Sequence, residues 1–318
     1  MVISPGAVLA GIVRDLGIPL PGKGIDYDVA GRTVLITGGG DGIGFALARV
    51  LHSRGATVAL IDVDEAALVR AAAGLGGQRV LTVTADVRDR GAMRSAVREV
   101  RARTGRLDVV VANAGVTPPP ATLRQIDPAG FDRVLGVNLT GVFNTVHPAI
   151  DEVVARRGHI VVVSSAAAFA PGPGGAAYMI SKAGVEQLGR ALRLEIAGEG
   201  ATAGVAYFGM VDTRLARATL DEDPIGRQLD ARLPAPLRRR ITADAAAAVL
   251  ADAISRRAAR TVAPASWQGW ALLRGLVNVF ADGYLAADVR MHQLVRALEA
   301  GNEDPADGSR TNPARTPR

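Results

Sequence analysis

The chain contains no cysteine. Disulfides, thiolate metal ligands and thiol nucleophiles are therefore excluded, and the composition suits a reducing compartment, with the cytoplasm as the expected location. Histidine is scarce: His52, His147, His159 and His292 stand apart, without the paired spacings that hold a metal ion, so no protein-ligated metal is expected. Aromatic residues make up only 4%. The net charge of +6 raises nucleic acid as a partner, but stacking platforms are missing and the arginines of 94–103 are interleaved with Glu99, as on a solvated helix face. The denser cluster Arg238, Arg239 and Arg240 reads as a charged loop before a helix, and no nucleic-acid partner is expected. Lysine is nearly absent too. Only Lys23 and Lys182 occur, and every other position that carries a permanent positive charge is arginine.

What is present is a long alternation of two patterns. Apolar runs of strand length stand at 33–38, 57–62, 79–87, 107–115, 159–165 and 202–209, and between them 43–53, 64–74, 89–103, 128–155 and 178–197 carry apolar residues at helical spacing. Continuous valine and isoleucine runs fit strands buried on both faces, which implies an α/β, Rossmann-like, doubly wound parallel sheet. The expected organisation is a single catalytic domain over 31–261, an N-terminal packing arm over 1–30 and an apolar helical extension over 262–300. The polar tail over 301–318 is expected to be disordered.

The segment T-G-G-G-D-G-I-G at 37–44 joins the first strand to the first helix. Its glycines let the backbone approach a pyrophosphate, and the helix N-terminus supplies amides and a positive dipole end. The spacing is T-G-x-x-x-G-x-G, carried by Thr37, Gly38, Gly42 and Gly44, with Asp41 and Ile43 inside the turn. Asp86-Val87 follows the third run, Asn113-Ala114-Gly115 the fourth, and Asn138 lies in V-N-L-T-G. Ser165 follows the fifth run, and Tyr178 and Lys182 stand in Y-M-I-S-K.

In that order these motifs make the chain resemble the short-chain dehydrogenase/reductase family over roughly 30–261. The resemblance implies a nicotinamide cofactor and four catalytic residues. Tyr178 would exchange a proton with the substrate oxygen, and Ser165, selected over Ser164 by its separation from Tyr178, would hydrogen-bond that oxygen. Lys182 would serve both the nicotinamide ribose and the tyrosine, and Asn138 would anchor a water chain, with a helix distortion as its simpler role. A lysine four residues after a tyrosine shares its helical face, and its compact ammonium can favour the phenolate where a guanidinium would place its donors differently. Thr37, Gly38, Asp41, Gly42, Ile43, Gly44, Asp62, Asp86, Val87, Asn113, Ala114, Gly115, Val211 and Thr213 are the remaining cofactor contacts, Asn113 mainly by pinning neighbouring strands.

Asp62 ends the second run, where an acid accepts hydrogen bonds from the adenosine ribose and repels a 2′-phosphate. With Asp64 and Asp41 adding negative charge, NAD is expected over NADP. The alternative for Asp62 is a helix N-cap. One departure stands out: Phe208-Gly209 replaces the family's usual proline-glycine pair.

Segment 212–240 is expected to close over the substrate. Ala166, Ala167, Ala168, Phe169, Pro171 and Met210 form an apolar surround, which points to a hydrophobic secondary alcohol or ketone, steroid-, lipid- or xenobiotic-like. A cofactor-binding scaffold without turnover is the alternative. The family implies a homodimer or homotetramer. Segment 262–298, with Trp267, Trp270, Leu273, Val277, Phe280 and Tyr284 at helical spacing, is read as a lid or a subunit interface ahead of a peripheral membrane contact.

Overall fold

The structure is a computed structural model that describes residues 27–303 other than Pro171. The expected packing arm up to residue 26, including Lys23, and the polar tail from 304 lie outside the described residues.

Six strands form where the apolar runs predict them: β1 (Thr33–Thr37), β2 (Thr57–Asp62), β3 (Val80–Thr84), β4 (Val109–Ala112), β5 (His159–Ser165) and β6 (Thr202–Phe208). Two short strands, β7 (Val211–Asp212) and β8 (Ile241–Thr242), pair with each other beyond the main sheet. A further strand, β9 (Arg260–Ala263), completes a seven-stranded parallel sheet of order β3-β2-β1-β4-β5-β6-β9. R-T-V-A offers too short an apolar run to be recognised alone. It is a strand because β6 presents an edge to it, and the domain boundary expected at 261 falls inside it.

Helices cover both faces. On one side pack α1 (Gly42–Ser53), α2 (Glu65–Gly74) and Ala243–Ser255 near the C-terminal end of the sheet domain. On the other lie α3 (Arg90–Thr104), the interrupted run α4 (Pro128–Leu135), α5 (Gly141–Val146) and α6 (Ile150–Ala155), and the long α7 (Ala176–Ile196). Aspartate starts several of them: Asp64, Asp89 and Asp127 accept amide hydrogens of the first turns of α2, α3 and α4. After β6, α8 (Pro224–Arg232) precedes α9, the Ala243–Ser255 helix.

The C-terminal extension departs from its expected single stripe. It is two helices, α10 (Gln268–Ala287) and α11 (Val289–Glu303), divided at Asp288. Trp267 precedes α10 and is buried, whereas Leu273, Phe280 and Tyr284 face outward. A β-carbon at Gly209 would come within 2.3 Å of the Trp267 indole nitrogen, so the glycine after Phe208 leaves room for that ring. Phe208 itself is buried and prolongs β6, paired with Ser165 on one side and Ala263 on the other.

At the opposite end of the sheet, Asp108 precedes β4 with no exposed surface, and its carboxylate accepts from the Thr33 amide at 3.0 Å and from Arg106 Nε and Nη2 at 2.7 Å each. Burial pushes its carboxyl up, but the Arg106 guanidinium and the Thr33 amide outweigh that and leave it below the ordinary carboxylate range. A depressed folded pKa contributes stability that is present above the unfolded value near ~4 and lost as pH falls through the folded one. Asp108→Ala is expected to lower unfolding free energy by about 3 kcal/mol at neutral pH, because a buried pair loses one partner. Urea unfolding at pH 7 and below pH ~4 checks both points, and the difference between parent and variant should shrink in acid.

Candidate active site

Strand order reverses beside β1, which opens a crevice at the carboxyl ends of β1 and β4. Thr37 and Asn113 tie its two walls. Thr37 Oγ1 accepts from the amides of Asn113 (3.1 Å) and Ala114 (3.2 Å), while Asn113 Nδ2 donates to the Thr37 carbonyl at 3.0 Å. The glycine turn closes tightly against them. Gly38 has φ +65° and Gly42 φ +55°, and a β-carbon at Gly44 would lie 2.1 Å from the Gly38 carbonyl oxygen. These glycines leave the cradle that a pyrophosphate needs at the start of α1, and Ile43 enters the helix half-buried just inside it.

The acids around this turn have different tasks. Asp62 accepts from the Gly40 amide at 3.0 Å and from the Asp64 amide at 3.2 Å, while Asp64 caps α2 through the Ala67 amide at 2.9 Å. The helix-cap alternative for Asp62 is thereby overturned. Asp41 accepts from the Gly42 amide at 2.7 Å and pairs with Arg214 at 3.2 Å. Asp86 is occupied by Arg88, whose hydrogen bonds, the shortest 2.6 Å, hold its carboxyl below the usual range against the opposing effect of burial. Val87 is buried, and its carbonyl accepts from Asn144 Nδ2 at 2.9 Å.

Val211 is buried beside the crevice, and Thr213 accepts from the Ala216 amide at 3.2 Å to start a single helical turn. The Thr213 methyl is what a β-carbon on Gly42 would meet, at 3.7 Å. A cavity of about 390 Å³ opens here, and each arginine lining it is paired with an aspartate: Arg214 with Asp41, Arg217 with Asp212 at 3.1 Å, and Arg49 with Asp244. Arg240 is likewise held by Asp221 at 2.7 Å, which gives one member of the 238–240 cluster a structural role.

Further along the crevice, β5 delivers Ser165 and α7 delivers Tyr178 and Lys182. Ser164 points away: its hydroxyl donates to the Lys182 carbonyl at 2.7 Å. Ser165 Oγ donates to the Phe208 carbonyl at 3.2 Å and accepts from the Ala167 amide at 3.2 Å. Burial raises the Tyr178 hydroxyl above its ordinary pKa, and the neighbouring Ser165 hydroxyl pulls the other way. Lys182 Nζ donates to the Val163 carbonyl at 2.9 Å and lies 5.7 Å from the Tyr178 ring centre. Burial lowers its pKa to about 8.

Asn138 joins this group through a local irregularity. Between α4 and α5 the chain makes a π-helical turn, Gly136–Thr140, and Asn138 is fully buried in it. Its Oδ1 accepts from the Val116 amide at 2.8 Å, and its Nδ2 donates to the Val116 carbonyl at 2.9 Å and to Ser181 Oγ at 3.1 Å. Gly115 sits over both groups, with its β-carbon position 3.4 Å from Asn138 Oδ1 and 3.5 Å from Lys182 Nζ.

Ser181 was not singled out by sequence, although it lies inside Y-M-I-S-K. It accepts from Asn138 and donates to the Tyr178 carbonyl at 2.7 Å, so it couples the π-turn to the tyrosine's turn of helix. Thr117 and Thr219 were missed as well, and their hydroxyls meet at 2.6 Å where the 212–240 segment touches the loop after β4.

The apolar surround is smaller than expected. Ala166 and Phe169 are buried, and Phe169 packs on Tyr207 and Trp267 with ring centres 5.8 and 6.4 Å away, so both belong to the core. Ala167, Ala168 and Met210 remain half-buried, and Pro171 lies outside the described residues. Among the described residues no group of histidines and acids could hold a metal ion.

The pattern of the family described as short chain dehydrogenase matches residues 32–224. Cis-4-hydroxycyclohexanecarboxylate dehydrogenase of Sinomonas cyclohexanicum is 37% identical over 208 residues, covering 62% of this chain and 84% of that one. Among solved structures, levodione reductase superposes with a TM-score of 0.70 at 27% identity, covering 76% of this chain and 99% of that one. A 3-ketoacyl-(acyl-carrier-protein) reductase from Brucella melitensis complexed with NADH gives 0.64 at 27% identity, covering 74% and 97%.

The Gly44 contact yields a direct test. Gly44→Ala must push the turn off the Gly38 carbonyl, and NADH affinity, read by fluorescence titration, is expected to fall at least tenfold, equivalent to ~1.4 kcal/mol. Unchanged affinity would mean that the glycine turn is not the nucleotide cradle.

Proposed function

Because the chain belongs to the short-chain dehydrogenase family, whose members act on CH–OH groups with a nicotinamide cofactor, we propose that it interconverts a hydrophobic secondary alcohol and its ketone, prefers NAD over NADP and works as a homodimer or homotetramer. The observation that carries this reading is the grouping of buried Lys182 and Asn138 with half-buried Tyr178, which has Ser165 beside it.

When bound, the cofactor accepts or supplies the hydride. Thr37, Gly38, Gly42, Ile43 and Gly44 would hold its pyrophosphate, Asp86 and Val87 the adenine side, and Val211 and Thr213 the carboxamide side, with Ala114 and Gly115 beneath. Ser165, released from the Phe208 carbonyl, would donate to the substrate oxygen and hold it in place. Tyr178 would then give its proton to that oxygen during reduction or take it during oxidation. The burial that raises its pKa makes the neutral hydroxyl the resting form, suited to the reductive direction. Lys182 would exchange Val163 for ribose hydroxyls and, through its ammonium charge beside the tyrosine, favour the phenolate. Asn138 and Ser181 would keep that end of the crevice polar enough for water to carry the proton onward.

Cofactor preference rests on Asp62. With the capping role assigned to Asp64, the Asp62 carboxylate stands at the end of β2, where ribose hydroxyls would donate to it and a 2′-phosphate would be repelled. The preference for an uncharged substrate rests on the paired state of Arg214 and Arg217, whose aspartates offset the cations nearest the crevice. The relative named for a hydroxycyclohexanecarboxylate supports a cyclic secondary alcohol as the reacting group, although that molecule also carries a carboxylate.

Three measurements follow. Tyr178→Phe is expected to lower kcat at least a hundredfold while NADH affinity stays within about twofold, because only the proton-transferring hydroxyl is lost; near-parental turnover would end the assignment. Asp62→Ala is expected to narrow the ratio of kcat/KM for NAD over NADP, and parity of the two cofactors in the parent would contradict the preference. Since the ammonium is the donor and its pKa lies at about 8, NADH affinity should weaken as pH rises through that value. The dependence should be absent in Lys182→Met.

A further inference from the structure

Helix α10 is apolar on two sides: Trp270 and Ala271 pack on the core, and a second apolar strip faces outward. Its inward side carries Arg274, bonded through Nη1 to Glu186 at 2.6 Å, and Asn278, which accepts from Trp270 Nε1 at 2.9 Å. Its outward side is apolar: Leu272 is 41% exposed, and Leu273, Leu276, Val279, Phe280 and Tyr284 between 60% and 72%. Asp282, which with Arg274 makes up the charged residues of α10, lies on the opposite side of the helix from Leu273. A surface helix normally has one apolar face, and a second contiguous apolar strip of this kind marks a surface with a partner.

The occupant can be argued from area, spacing and charge. Those six side chains expose on the order of 700 Å², close to the ~800 Å² per partner of a standard protein interface. Leu273, Leu276, Phe280, Gly283 and Ala287 follow one another at alternating steps of three and four, the spacing by which one helix seats its side chains into another. Gly283 and Ala287 leave low points into which facing knobs fit. A helix lying in a lipid surface instead needs basic residues along its polar flank, and the arginine on that flank, Arg274, is committed to Glu186.

We infer that α10 is the surface through which two copies of this chain pair, helix against helix about a two-fold axis. One strip then serves both partners, as an isologous contact requires. The pairing also secures the substrate end of the molecule. α11 follows directly, and its Glu299 holds the loop after β4 through Thr122 at 3.0 Å and Gln125 at 2.9 Å, while Leu298 rests on Gly174 just ahead of α7.

The test is the mass of the full chain by sedimentation velocity at tens of micromolar. The parent is expected to be a dimer or a multiple of one, and Leu276→Glu with Phe280→Glu to halve its mass. Leu194→Glu, at an apolar residue 79% exposed on α7, should leave the mass unchanged. Circular dichroism checks folding, and Leu276→Ser with Phe280→Ser replaces the glutamates should they unfold the chain. A monomeric parent, or a mass indifferent to both α10 variants, would overturn the inference. Pelleting of the parent with phosphatidylcholine–phosphatidylglycerol vesicles, lost in the α10 variants at unchanged mass, would overturn it in favour of a membrane. None of these readouts depends on turnover, so they stand or fall apart from the catalytic reading.

Discussion

The crevice exists because two parallel strands are held together at the point where their connections diverge. The chain leaves β1 for one face of the sheet and leaves β4 for the other, so no helix can close the gap between them. Thr37 and Asn113 do so instead, each using side chain and backbone. Everything on the nucleotide side rests on this clasp. The Asn113 amide lies where a β-carbon on Gly38 or Gly44 would intrude, so the compactness of the glycine turn and the tie between the strands are one packing problem.

On the chemical side the governing choice is burial. Lys182 is 4% exposed in a chain that, Lys23 apart, uses arginine for permanent positive charge. A guanidinium would demand five donors' worth of partners in that space, whereas an ammonium is served by one carbonyl and leaves donors to spare. Burial also makes its proton easier to lose. The π-turn that brings in Asn138 is the backbone's part of the same arrangement, since a regular helix would not present that amide to both backbone groups of Val116.

Much of this was legible in the sequence because the sheet is buried on both faces and writes itself as valine and isoleucine runs. The site residues were legible because they sit at element boundaries with fixed spacing: a turn after β1, the end of β5, one turn of α7. Where periodicity is silent, the reading failed. β9 has four residues and owes its state to its neighbour. Phe169 looked like pocket lining because apolar character does not say which way a ring points, and here the Tyr207 and Trp267 rings claim it. The break at Asp288 was hidden because apolar residues continue on either side, while the cap that distinguishes Asp64 from Asp62 depends on a two-residue offset that only backbone geometry resolves.

The Glu186–Arg274 bond bears on how such a chain could have acquired its extension. Glu186 is 3% exposed and stands one helical turn beyond Lys182, and its strongest partner comes from α10. An ancestor that ended after β9 would have had to keep this carboxylate in water, satisfy it locally through Arg190, or carry a different residue. The extension is therefore not a detachable appendage: without it the buried Glu186 carboxylate loses the bidentate Arg274 and is left with Arg190 at 3.5 Å. A transplant of α10 and α11 onto a shorter relative would have to bring position 186 with it.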